Sequence, residues 1–246
     1  MKKKILLFSA VAALLLTSVL LCGCQRTALE GISSNQQTGI WVTGEGKVSV
    51  TPDLAIIQVG IQAQSDSVAN AQTQASEAMN KVETALILNG IAEKDIQTQY
   101  FNIQQLTRWN YEKEELVVYG YQVTNMVTVK IRDMGKPGTI IDAVSAAGGD
   151  LIRINSIQFT VEDATIYYDE AREKAVANAE DAAKQLADLT GVKLGKPIYI
   201  SVSGVYSPQA PIYRDVKASP EAGNSTPISI GELEISLTVQ VTYAIR

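Results

Sequence analysis

The side chains able to do acid, base, nucleophilic or metal chemistry make a short inventory. Histidine is absent from all 246 residues, which excludes Ser-His-Asp triads, Cys-His pairs and imidazole metal sites. Carboxylate, Lys, Ser/Thr and Tyr chemistry remains. Asp95 and Thr98, three residues apart, could be half of an acid/base or metal pair; the simpler role for Asp95 is to start a strand or cap a turn. Glu112, Glu114 and Glu115 could bind calcium weakly but lack the Asp/Asn-and-Gly spacing of a dedicated loop, so they read as a solvated run. Gly44-Glu45-Gly46 lacks the further glycines and the following helix of a phosphate loop, and reads as a strand bulge or a close backbone approach. Arg172 could reach an anionic ligand, although an internal salt bridge is the reading we favour. Trp109, Tyr111, Tyr119 and Tyr121 could form an aromatic contact patch, since such side chains are enriched at interfaces; core packing or cross-strand pairing accounts equally for the two last. Tyr206 and Tyr213 join Trp109 and Tyr111 as interface candidates. No residue is assigned a catalytic, cofactor-binding or metal-binding role.

The two cysteines, Cys22 and Cys24, sit at the end of a three-part leader. Lys2–Lys4 are a positive start, and Ile5–Leu21 is apolar but for Ser9, Thr17 and Ser18, the pattern of a secretory signal. An uncleaved membrane span is the competing reading, for the apolar run is at the lower edge of what a span needs. Leu21-Cys22-Gly23-Cys24 resembles the lipobox of bacterial lipoproteins, whose cysteine thiol receives a diacylglyceryl group before cleavage. That resemblance implies that Cys24 is the first mature residue and the lipid attachment point, and two buried chains make a stable anchor. Residues 1–23 are then signal, 24–39 a polar tether, and 40–246 the exported domain. The chain has 21 basic and 26 acidic residues; removing Lys2–Lys4 leaves 18 against 26, a net charge of about −8. This disfavours an electrostatic grip on nucleic acid or anionic lipid. With Cys22 removed and Cys24 blocked, the domain has neither thiol nor disulfide.

The elements that must position these residues follow from periodicity. Ile40–Gly46 opens the domain, Lys47–Val50 alternates as a strand, and Leu54–Gln64 is a second one; the short Thr51-Pro52-Asp53 link predicts a β-hairpin between them. Asp66 or Ser67 caps a helix whose stripe is Val68, Ala71, Ala75, Met79, Val82 and Leu86, stopped at Asn89-Gly90. A strand over 96–103, a polar aromatic loop around 109–115 and a long strand over 117–132 come next. Pro137–Ala147 reads as a short helix ended by Gly148-Gly149. Residues 152–161 alternate with a phase shift at Asn155-Ser156, which suggests a bulge. Asp163 caps the longest helix, ending at Gly191, with the small stripe Ala171, Ala175, Ala179, Ala182 and Leu186, which would let it sit close to a sheet. Glu170–Lys174 and Glu180–Lys184 are spaced as i,i+4 pairs. A strand at 197–202, a Pro/Ser/Gly-rich stretch at 205–227 that is either disordered or a partner-binding segment, and a strand at 232–244 complete the chain. The order predicts an α+β fold with a largely antiparallel sheet carrying two long helices and one short one.

The exported part, about residues 40–245, resembles the SIMPL-domain proteins, a bacterial envelope family that includes periplasmic immunogenic proteins. The resemblance rests on Val42-Thr43-Gly44-Glu45-Gly46 with Pro52-Asp53, Gly90-Ile91 with Asp95-Ile96-Gln97-Thr98, Gly120-Tyr121-Gln122-Val123, Asp169-Glu170-Ala171-Arg172 with Ala175, and Gly191-Val192-Lys193-Leu194-Gly195. It implies an α+β fold, a tendency to oligomerise and a link to envelope stress, with no established catalytic residues. Many members carry an ordinary cleavable signal instead of a lipobox.

The expected function is therefore that of a lipid-anchored cell-envelope protein, facing the extracytoplasmic side, that acts without enzymatic activity as an interaction or assembly module. Its expected partners are the membrane, through Cys24, and a second copy or another envelope protein. No cofactor and no nucleic acid are expected. A small-ligand-binding lipoprotein is the alternative, and a carboxylate-dependent hydrolase a third reading.

Overall fold

The computed structural model describes residues 39–203 and 226–246; Cys24, the tether to residue 38 and most of 205–227, including Tyr206 and Tyr213, lie outside them. The elements run β1 (Ile40–Val50), β2 (Leu54–Ser65), α1 (Val68–Leu88), β3 (Ile96–Asn110), β4 (Glu115–Ile131), α2 (Pro137–Gly148), β5 (Ile152–Thr160), α3 (Thr165–Thr190), β6 (Leu194–Ser203) and β7 (Leu233–Ile245). The fold is α+β and all strand pairing is antiparallel. The strands divide into a four-stranded sheet, β3-β4-β2-β5, and a three-stranded sheet, β1-β7-β6. Among the described residues no helix is long and apolar enough to cross a membrane.

The hairpin expected across Thr51–Asp53 does not form. β1 pairs along its whole length with β7, from Ile40 opposite Tyr243 to Val50 opposite Leu233. β2 has β4 on one side and β5 on the other, so neither of its edges is free for β1. The link is pinned to the far end of β5 instead: Asp53 N–H donates to the Thr160 carbonyl at 3.2 Å, and Glu162 N–H donates to Asp53 Oδ1 at 2.8 Å.

Each sheet buries one face under helix, and each has its own core. In the four-stranded unit, Ile57, Val59 and Ile61 of β2 and Val123, Val127 and Val129 of β4 meet Met79, Val82 and Leu86 of α1 and Ile140 and Val144 of α2. Burial of each large aliphatic side chain contributes roughly 1.5–3 kcal/mol. Ser67 is the N-cap of α1, accepting from Asn70 N–H at 3.3 Å. The anticipated bulge is present: Gln58 faces Ser156 and Val59 faces Ile154, leaving Asn155 as the extra residue.

The three-stranded unit is built on a different scale. The buried stripe of α3 is Ala171, Ala175, Ala179, Ala183 and Ala187, four residues apart throughout. Ala183 and Ala187 replace the expected Ala182 and Leu186, of which Leu186 is largely exposed, because a seam of consecutive i,i+4 neighbours follows one ridge of the helix. This ridge lies on Gly44 and Gly46 of β1. A Cβ at Gly44 would run into the Ala175 carbonyl and one at Gly46 into the Ala171 carbonyl, so backbone meets backbone there. The close-approach reading of Gly44-Glu45-Gly46 holds. Past the helix, Gly191 takes the left-handed conformation at φ +73°, as expected of a C-terminal stop.

Residues 226–232 return along α2 before entering β7. Thr226 donates its N–H to Asp142 Oδ2 at 3.0 Å and its hydroxyl to Asp142 Oδ1 at 2.5 Å, which holds that carboxyl below the usual range.

Candidate interaction surface

β3 and β4 outrun the rest of their sheet. β2 ends with Ser65 opposite Tyr121, but β3 and β4 stay paired from Leu106–Gly120 out to Asn110–Glu115. The expected loop around Trp109 is thus mostly strand, and the turn is confined to residues 111–114. The turn is stabilised locally: Asn110 Oδ1 accepts from Glu112 N–H at 2.9 Å and Lys113 N–H at 3.2 Å, and Glu114 takes φ +52°. A bulge at the base of the arm leaves Tyr119 without a partner across the strand pair, and the Arg108 guanidinium lies 5.8 Å from its ring centroid, a cation–π distance.

The arm carries apolar surface on one side. Trp109 faces Leu116 and Thr107 faces Val118, and alternation along each strand puts these four on one face. Trp109 is 48% exposed, Leu116 66% and Tyr111, at the turn, 86%. A two-stranded ribbon is marginal in water without a packed face, yet this one meets neither core. The apolar surface continues down the edge strand: α1 packs on β2 and β4, leaving Phe101 and Ile103 of β3 exposed.

Of the interface candidates, Trp109 and Tyr111 come together at the end of the arm. Leu116, Val118, Phe101 and Ile103 were missed. The apolar run Leu116-Val117-Val118 is the available signal; the strand expected over 117–132 takes in its last two residues, but nothing in the sequence places them outside a sheet.

The charged candidates serve the fold. Asp95 sits in a single 3-10 turn ahead of β3, 8% exposed. Arg132, from the end of β4, donates to Asp95 Oδ2 at 2.7 Å and through Nε and Nη2 to both oxygens of Glu162 at 2.7 and 2.6 Å. The guanidinium holds both carboxyls below their ordinary range, and they push its own pKa up. Thr98 pairs across to Val127 in β3 and joins no such cluster. Arg172 forms an ion pair with Asp169 at 2.6 Å, the internal bridge that was favoured. Glu112, Glu114 and Glu115 are exposed at the turn. The pairs Glu170–Lys174 and Glu180–Lys184 close at 2.8 and 2.7 Å.

The chain is similar to the 26 kDa periplasmic immunogenic protein of Brucella melitensis biotype 1, 34% identical over 231 residues and 89% of each chain. The same protein of Brucella abortus (strain S19) matches equally. It is also similar to the uncharacterized protein YggE of Escherichia coli K12, 30% identical over 204 residues, 82% of this chain and 78% of that one. The periplasmic relatives support an extracytoplasmic location for the domain. The family model described as SIMPL, protein of unknown function (DUF541), matches residues 40–243, which takes in both sheets, all three helices and the arm: the chain belongs to the SIMPL family.

Proposed function

We propose that this protein is a lipid-anchored component of the cell envelope that works by contact, as a non-enzymatic interaction and assembly module, with the β3–β4 arm as its principal contact surface. The observation that carries this reading is the arm itself: Trp109, Leu116 and Val118 on one face of a ribbon that borders neither core. Contiguous exposed apolar surface marks interaction sites, and the unpaired edge of β3 offers backbone groups for strand addition. Cys24 supplies the anchor and residues 24–39 the reach, so the arm would be presented to a second copy of the chain or to a neighbouring envelope protein.

Crosslinking with mass spectrometry in native membranes, paired with sedimentation of the purified protein, tests both halves. The expected result is a concentration-dependent oligomer, with crosslinks at 106–120 that are lost in Trp109→Ser/Tyr111→Ser. A strict monomer at high concentration, with no crosslinked partner in membranes, would defeat the proposal. Cys24→Ala should release the protein from the membrane without changing its fold; firm retention would favour an uncleaved leader helix.

A further inference from the structure

The chain is acidic overall, yet four cationic side chains surround one concavity. It lies between the connection from α1 to β3, the end of β4 and the loop leading to α2, with a volume of about 350 Å³, within the range of small-ligand sites. Lys94, Lys130, Arg132 and Lys136 line it together with Asp95 and Asp133. Lys136 reaches across the mouth: its Nζ lies 3.6 Å from where a side chain on Gly90 would begin.

The carboxylates there are already engaged. Asp95 is bound by Arg132. Asp133 Oδ1 accepts from Gly135 N–H at 3.1 Å, while its other oxygen is 3.6 Å from Lys136. Lys94 and Lys130 form no ion pair among the described residues. The cavity is thus left with a surplus of positive charge, and gathering like charges has an electrostatic cost that a bound anion would relieve.

The donor set narrows the anion. Arg132, whose planar fork would suit a carboxylate, spends three of its N–H groups on Asp95 and Glu162. What remains is three ammonium groups: Lys94 and Lys130, which have no ion-pair partner among the described residues, and Lys136, whose contact with Asp133 is a long 3.6 Å. Lysine binds phosphate as a compact point charge, and three of them around a concavity suit a multivalent tetrahedral group better than a planar monoanion. We propose that this cavity binds a phosphate-bearing anion through Lys94, Lys130 and Lys136, with Arg132 fixing the floor.

Such a group could be a soluble phosphate or a phospholipid headgroup, and calorimetry on the full chain in non-ionic detergent separates them. Inorganic phosphate, pyrophosphate and dihexanoyl phosphatidylglycerol below its micelle concentration are titrated at low salt, with dihexanoyl phosphatidylcholine as the zwitterionic control. Saturable binding that weakens about tenfold or more in Lys94→Gln/Lys130→Gln/Lys136→Gln, but not in Lys81→Gln on α1, supports the site. Response to the soluble phosphates assigns a free anion; response to phosphatidylglycerol alone assigns a headgroup. The triple variant should keep its thermal midpoint, because its side chains pack in neither core. Absence of binding by all three anions, or binding that the triple variant retains, would overturn the proposal.

Discussion

The two halves of this molecule solve one problem, helix on antiparallel sheet, at two packing distances. In the four-stranded unit, Ile57, Val59 and Ile61 interdigitate with Met79, Val82 and Leu86, and the helix is held off by side chains. In the three-stranded unit an alanine ridge rests on Gly44 and Gly46, and at those two positions no side chain stands between helix and strand, although Val42, Val48, Leu237 and Val239 fill the core around them. A core of large side chains can relax around a lost methyl, whereas a backbone-on-backbone seam has nowhere to put a gained one.

One methyl in each unit tests this difference. Gly46→Ala should cost about 3 kcal/mol or more, because the added carbon collides with the Ala171 carbonyl and the helix has to lift. Ile57→Val, removing a methyl at a site 1% exposed, should cost about 0.5–1.5 kcal/mol. Urea denaturation of the two variants checks both, and equal costs would break the comparison.

A smaller effect is expected at the ionic junction around Arg132. Asp95 and Glu162 are held below their ordinary pKa by Arg132, so their contribution is complete above the ordinary carboxylate range, about 3.9–4.3, and is lost as pH falls through the lower folded values. Thermal midpoints of the native protein and Arg132→Gln should therefore differ by a constant amount from pH 6 to 8 and converge below about pH 4. A gap that persists into strong acid would show that Arg132 acts by packing instead.

The smallest effect belongs to the arm. Trp109→Ser should leave unfolding stability within about 0.5 kcal/mol of the native protein, measured at a concentration where both are monomeric, since Trp109 borders neither core. A large loss would make the arm a third packing unit and blur the contrast between the two.

Local features were legible because local chemistry dictates them. Ser67 as a cap, Gly191 as a stop and the bulge at Asn155 each follow from a few neighbouring residues. The tight approach at Gly44 and Gly46 was one of two readings the glycines allowed, a strand bulge being the other, and the alanines of α3 were read only as letting a helix sit close to a sheet. The split into two sheets could not be read. A short link between two strands favours a hairpin, and no nearby residue records that the true partner of Val50 is Leu233. The surface was half legible for a related reason. Trp109 and Tyr111 stand out as aromatics in a polar stretch, but an arm outside the sheet has no buried face to impose alternation. Lys94, Lys130 and Lys136 are scattered in the chain and meet only through the fold.

The pairing of β1 with β7 also sets the order in which the protein can acquire structure. β1 leads the domain through any export channel, and the strand it needs follows about two hundred residues later. The four-stranded unit takes its strands and its core from residues 54–160 alone. Until β7 arrives, β1 and the alanine ridge of α3 lack the central strand of their sheet. Contacts this distant in sequence are slow to close. A chain that crosses unfolded would therefore have half its core complete and one sheet edge unsealed until β7 arrives, the stage most open to proteases and to wrong partners.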